Sequence, residues 1–118
     1  MSALRVRVEN LGSGVTLMFP DGDIDSHTCY TLKEALEKAH RAEPKSIVID
    51  MGGVSRLSSA GLDVLLEAMK KLEERQAELV LSNLRSTSSR VSEMVKALPA
   101  NRLFPDVETA RRNAVEML

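Results

Sequence analysis

Residues 46–72 read SIVIDMGGVSRLSSAGLDVLLEAMKKL. Ser46-Ile47-Val48-Ile49-Asp50 is short, β-branched and continuously apolar, the pattern of a strand covered on both faces. From Leu62 onward the apolar positions fall at Leu65, Leu66, Met69 and Leu72, the spacing of an amphipathic helix. A buried strand followed by such a helix is the unit from which parallel sheets with crossover helices are built. Between the two lies Ser55-Arg56-Leu57-Ser58-Ser59-Ala60-Gly61-Leu62, which must turn the chain from one element into the other.

The elements on either side extend this reading. Leu4, Val6 and Val8 alternate with Arg5, Arg7 and Glu9, the period of a half-buried strand. Gly12-Ser13-Gly14 makes a turn, Val15 to Phe19 forms a second strand paired back on the first, and Pro20-Asp21-Gly22 ends it. After the capping types Asp25-Ser26, Leu32, Ala35, Leu36 and Ala39 recur at helical spacing, and Pro44 closes that helix. Gly52-Gly53 reads as a tight turn, and Leu79 to Leu81 as another buried strand. Val91, Met94, Val95 and Leu98 define a third helix stopped by Pro99. Asp106 opens a fourth, with Val107, Ala110, Ala114 and Met117 on its inner face. A short strand near Leu103-Phe104 completes the order β-β-α-β-α-β-α-α. The expected fold is α/β: one domain over residues 1–118, with a mixed four- to five-stranded sheet flanked by about four helices.

Composition narrows the function. The 118 residues suit one hydrophobic core, and 43% hydrophobic with 28% charged residues argues against disorder along the chain. A formal net charge of -1 provides no global basic field for nucleic acid or an anionic membrane. Tyr30, Phe19 and Phe104 are too few aromatics for a base-stacking platform. Cys29 stands alone, which excludes an internal disulfide and points to a reducing compartment. The charged start lacks a signal-peptide core, and no apolar stretch approaches the ~20 residues of a membrane span. The expectation is a cytoplasmic protein with no direct nucleic-acid contact and no membrane insertion.

Enzyme signatures are missing. Leu57 occupies the place where a nucleophile elbow needs glycine. His27 and His40 have no Cys or Glu at metal-ligand spacing. Gly52-Gly53 lacks the glycine order and the Gly-Lys-Ser/Thr ending of phosphate loops. Asp21, Asp23 and Asp25 alternate, but an EF-hand counted from Asp21 meets Leu32 where its glutamate belongs. The Ser-rich stretch from Ser82 to Ser92, Ser88 included, resembles a basic kinase target through Arg85 and Arg90, but a solvated turn and helix start explains it more cheaply. No catalytic residue, metal ligand or cofactor is assigned.

Ser58 and Ser59 remain. Serine at a helix N-cap accepts a backbone N–H and contributes ~1 kcal/mol, and Asp63, taken as lying in the first turn, favours the helix dipole. Ala60 and Gly61 serve helix stability less well, since glycine costs ~1 kcal/mol inside a helix. Small residues there leave the serines uncovered, so another protein could approach closely. A phosphate would also find free N–H groups and the positive end of the dipole.

The order of elements, Gly22-Asp23-Ile24-Asp25 before the first helix, and Ile47-Val48-Ile49-Asp50 leading to Leu57-Ser58-Ser59-Ala60-Gly61-Leu62 together resemble the STAS domain. This is the domain of bacterial anti-sigma factor antagonists, also found at the cytoplasmic end of sulfate transporters. The resemblance covers nearly the whole chain. It implies a non-enzymatic domain with a mixed sheet flanked by helices. Setting Gly61 on the family's glycine places Ser59 on the serine that a partner kinase phosphorylates. It places Asp25 on the aspartate of the Gly-x-Leu/Ile-Asp motif and Asp50 on the acidic residue at the end of the central strand. Two positions depart from the family. Ser58 stands where aspartate is most frequent, which makes it the alternative phosphate acceptor, and Asp63 stands where a small residue is frequent.

What the resemblance implies is a partner switch. The unphosphorylated protein would bind an anti-sigma factor that is also a serine kinase, freeing the sigma factor, and phosphate on Ser59 would end the binding. A serine phosphatase would reset it. The expected contact surface is Gly22, Asp23, Asp25, Ser26, Ser58, Ser59, Ala60, Gly61 and Asp63. The alternative is a scaffold or accessory module, in a stress-signalling assembly or beside a transporter, where Ser58 and Ser59 only cap the helix.

Overall fold

The computed structural model describes residues 3–83 and the backbone of residues 103–104. Strand β1 (Arg5–Leu11) turns through residues 12–14 into β2 (Val15–Ile24), and the two pair antiparallel from Arg5 opposite Asp21 to Leu11 opposite Val15. Helix α1 (Cys29–Arg41) crosses to β3 (Ser46–Asp50), which pairs parallel with β2. A 3₁₀ turn at Met51–Gly53 leads to β4 (Val54–Leu57), then α2 (Ser59–Glu74) crosses to β5 (Glu78–Ser82). The short β6 (Leu103–Phe104) pairs parallel with β5. The sheet order is β1-β2-β3-β5-β6, with β4 attached to the far end of β2. The α/β reading with a mixed sheet holds, including the antiparallel first pair and the short strand at Leu103. The third and fourth helices, at 91–98 and 106–117, lie outside the described residues, as does the Ser-rich stretch beyond Asn83.

Burial explains the pattern of β3. Ile47 and Ile49 point into the larger core with Leu32 and Leu36 of α1 and Leu62, Leu65, Met69 and Leu72 of α2. Val48 points the other way, into a second cluster with Val15, Leu17 and Val80. A strand with both faces buried has no polar positions to alternate, hence the continuous apolar run. Leu65 and Leu72 are almost wholly buried, each contributing roughly 1.5–3 kcal/mol.

Three local expectations are corrected. Pro20-Asp21-Gly22 does not end the second strand, which runs on to Ile24. Pro20 is tolerated because β3 pairing stops at Met18 and β4 pairing begins at Gly22, so it falls between the two partners. Gly22 takes φ +124 beside a register shift in the β2–β4 ladder, a bulge conformation that suits glycine. Strand β4 has no counterpart among the expected elements: Val54 and Leu57 are buried while Ser55 and Arg56 are exposed, which is not period two. Lastly, α2 begins at Ser59, so Asp63 is its fifth residue and the first turn contains no acid.

Candidate functional site

The parallel pairing of β2 with β4 assembles the site. Ile24 lies opposite Leu57 and Asp23 opposite Arg56, so the segments that follow the two strands leave the sheet side by side. One is the 25–28 loop that enters α1, the other Ser58 and the start of α2. The backbone N–H of Ser58 donates to the carbonyl of Ile24 at 2.8 Å and fixes that adjacency. Two helix N-termini, each with free N–H groups and a positive dipole end, are thus presented by neighbouring strands.

The serines divide their roles. Ser58 is the N-cap: its backbone is extended, and its Oγ accepts the N–H of Gly61 at 3.4 Å. It is half-buried, whereas Ser59, the first helical residue, is exposed. Ala60 is half-buried, and Asp63, one helical turn after Ser59, is exposed on the same side. Gly61 is buried, and its small size also serves packing. A Cβ there would strike Ile24 Cγ2 and approach Leu57 Cδ1 to 2.8 Å. Glycine lets α2 sit directly on the ends of β2 and β4.

Asp25 also behaves differently from a simple surface charge. Its Oδ1 accepts the backbone N–H groups of His27 at 2.8 Å and Thr28 at 3.0 Å. The bond from His27, then that from Thr28, holds the carboxyl below the ordinary aspartate range. Asp25 and Ser26 do not cap α1 at its first turn; Thr28 is the N-cap residue, and α1 starts at Cys29. Ser26 and His27 form the exposed tip of the loop. Gly22 and Asp23 are half-buried at the end of β2. Thr28 was not singled out from sequence, although Asp25-x-x-Thr28 is the spacing of reciprocal side-chain-to-backbone capping.

Asp50 lies at the far end of β3. Its Oδ1 accepts the N–H of Gly52 at 2.8 Å and Asn83 Nδ2 at 2.9 Å, which braces the 3₁₀ turn before β4 against the end of β5. Among the described residues no cluster of His, Cys, Asp and Glu is gathered for a metal ion, and no helix is long and apolar enough to cross a membrane.

The STAS domain family model matches residues 9–110. The chain belongs to the STAS domain family. This STAS domain is 40% identical over 77 residues to the anti-sigma-B factor antagonists of Listeria monocytogenes and Listeria innocua, covering 65% of this chain and 68% of each relative. Its fold is similar to an anti-sigma factor antagonist from Mycobacterium paratuberculosis, with TM-score 0.75, 23% identity and coverage of 95% and 94% of the two chains. The anti-sigma factor antagonist SpoIIAA in its unphosphorylated form gives TM-score 0.75 at 16% identity, over 97% of this chain and all of that one (100%). A sulfate transporter family protein from Wolinella succinogenes gives 0.69 at 20% identity, with 93% of each chain covered. The structural likenesses establish the fold; the Listeria relatives are named as anti-sigma-B factor antagonists.

Proposed function

We propose that this STAS domain is an anti-sigma factor antagonist switched by phosphate on Ser59. The unphosphorylated form binds a kinase-type anti-sigma factor in the cytoplasm through the start of α2 and the 22–26 segment, and the sigma factor is released. The observation that carries this reading is the exposure of Ser59 at the first position of α2 beside the 25–28 loop, in a chain 40% identical to anti-sigma-B factor antagonists.

Ser59 fits the acceptor role better than Ser58, which is half-buried and whose Oγ is engaged with the N–H of Gly61. A phosphate on Ser59 brings about -2 charge to a helix N-terminus, where the dipole and free N–H groups receive it, so the fold of the free protein is retained. The cost falls on the complex. A dianion stripped of water and enclosed in an interface without a pairing cation adds several kcal/mol, and each ~1.4 kcal/mol is tenfold in affinity. A serine phosphatase restores the binding form.

Incubation with the cognate kinase and ATP, followed by intact mass and peptide mapping, tests the assignment. Ser59 should carry the phosphate. Ser59→Ala should bind the kinase and resist release, and Ser59→Asp should bind weakly. Phosphate on Ser58 or Ser88 with Ser59 unmodified overturns the assignment, and equal binding by Ser59→Asp and wild type favours a constitutive scaffold.

A further inference from the structure

Thr28 occupies the N-cap position of α1, yet its side chain makes no cap bond to the helix. A threonine there ordinarily turns its oxygen toward the second or third helical N–H. Here Oγ1 accepts the backbone N–H of Asp25 at 2.9 Å and donates to the carbonyl of Asp23 at 2.7 Å. Asp25 returns the exchange by accepting the N–H groups of His27 and Thr28. The hydroxyl is therefore committed to the shape of the loop rather than to the N–H groups of α1. In that shape Asp25 is directed at the loop's own backbone, and Ser26 and His27 stand exposed at the tip. The Ile24–Ser58 bond holds the tip's base against the start of α2.

We infer that Thr28 is a positioning residue for partner recognition. It pre-forms the 23–28 loop in the conformation that the partner of Ser59 reads, and Asp25 acts with it as an internal brace through Oδ1. This rests on the antagonist reading. A loop already ordered in the free protein spares the complex the entropy of ordering it, which is how preorganisation raises affinity without any new contact. Thr28 need not touch the partner for its loss to be felt.

Thr28→Val keeps the branched shape and removes the hydroxyl; Thr28→Ser keeps the hydroxyl. Affinity for the kinase-type anti-sigma factor encoded in the same genome is measured alongside thermal midpoint and amide hydrogen exchange of Asp25. Thr28→Val should weaken binding by about tenfold or more, accelerate exchange at the Asp25 amide and leave the fold intact. Thr28→Ser should restore both affinity and protection. Wild-type affinity in Thr28→Val, or a loss that Thr28→Ser fails to restore, overturns the inference while the antagonist reading stands. Failure of the wild type to bind overturns both.

Discussion

The buried Gly61 lies so close to Ile24 that the first turn of α2 rests on the last residue of β2 with no room for a side chain between them. This contact and the 2.8 Å bond from Ser58 N–H to Ile24 O set the position of Ser59 relative to the 25–28 loop. Gly61→Ala gains helix propensity but drives a methyl group into Ile24 and Leu57. The second effect wins, since overpacking costs ~1–3 kcal/mol against at most ~1 kcal/mol gained from propensity. The denaturation midpoint should fall with the slope unchanged, and kinase-dependent phosphorylation of Ser59 should slow because the turn that presents it has moved.

Ser58→Ala and Ser59→Ala should separate structure from switching. Removing the N-cap oxygen of Ser58 costs ~0.5–1 kcal/mol, at the low end because its bond to Gly61 is 3.4 Å long. Ser59 is exposed and caps nothing, so its replacement should change stability by less than about 0.5 kcal/mol. Urea denaturation of the two variants, set against phosphate incorporation, should show opposite rankings. Ser58→Ala loses stability and still accepts phosphate; Ser59→Ala is stable and does not.

Most of the sheet and both described helices were legible because their residues obey a single period. Ile47 to Ile49 and the series Leu62, Leu65, Met69 and Leu72 need only the rule that buried faces are apolar. Strand β4 was not legible, because Val54 and Leu57 are buried by pairing with an extension of β2 that runs past the local turn signals Pro20-Asp21-Gly22. Pro20 marks a turn in most contexts, and only the gap between two pairing partners admits it here. The site was legible in its residues and less so in their reasons. The small size of Gly61 also serves a packing contact with Ile24 and Leu57 that the local sequence does not show. Asp25 is a capping type in the sequence, and it braces the loop before α1 while Thr28 takes the N-cap position. Such long-range or reciprocal contacts leave no periodic trace.

Asp50 supplies a brace that should be measurable alone. Asp50→Ala removes the acceptor shared by Gly52 N–H, in the exposed 3₁₀ turn, and Asn83 Nδ2, part-buried at the end of β5. The loss should be about 1–2 kcal/mol, since water replaces part of each bond. Asn83→Ala deletes only one of the two and should cost less. If the brace acts as a unit, the double variant should be no less stable than Asp50→Ala, which a double-mutant cycle in urea would read.

Asp25 gives the fold a defined acid dependence. Its carboxyl lies below the ordinary aspartate range because the charged form is held first by the His27 N–H and then by the Thr28 N–H. A group whose folded pKa is depressed stabilises the fold above its unfolded pKa, and that contribution disappears as pH falls through the folded value. Stability should therefore be insensitive to Asp25 near neutrality and decline on acidification below about pH 4. Asp25→Asn keeps an oxygen that can accept both N–H groups but cannot titrate. Its unfolding free energy should fall less steeply between about pH 4 and pH 2 than that of the wild type. Parallel wild-type and Asp25→Asn curves across that range would mean that the two backbone bonds do not distinguish the charged carboxylate from a neutral acceptor.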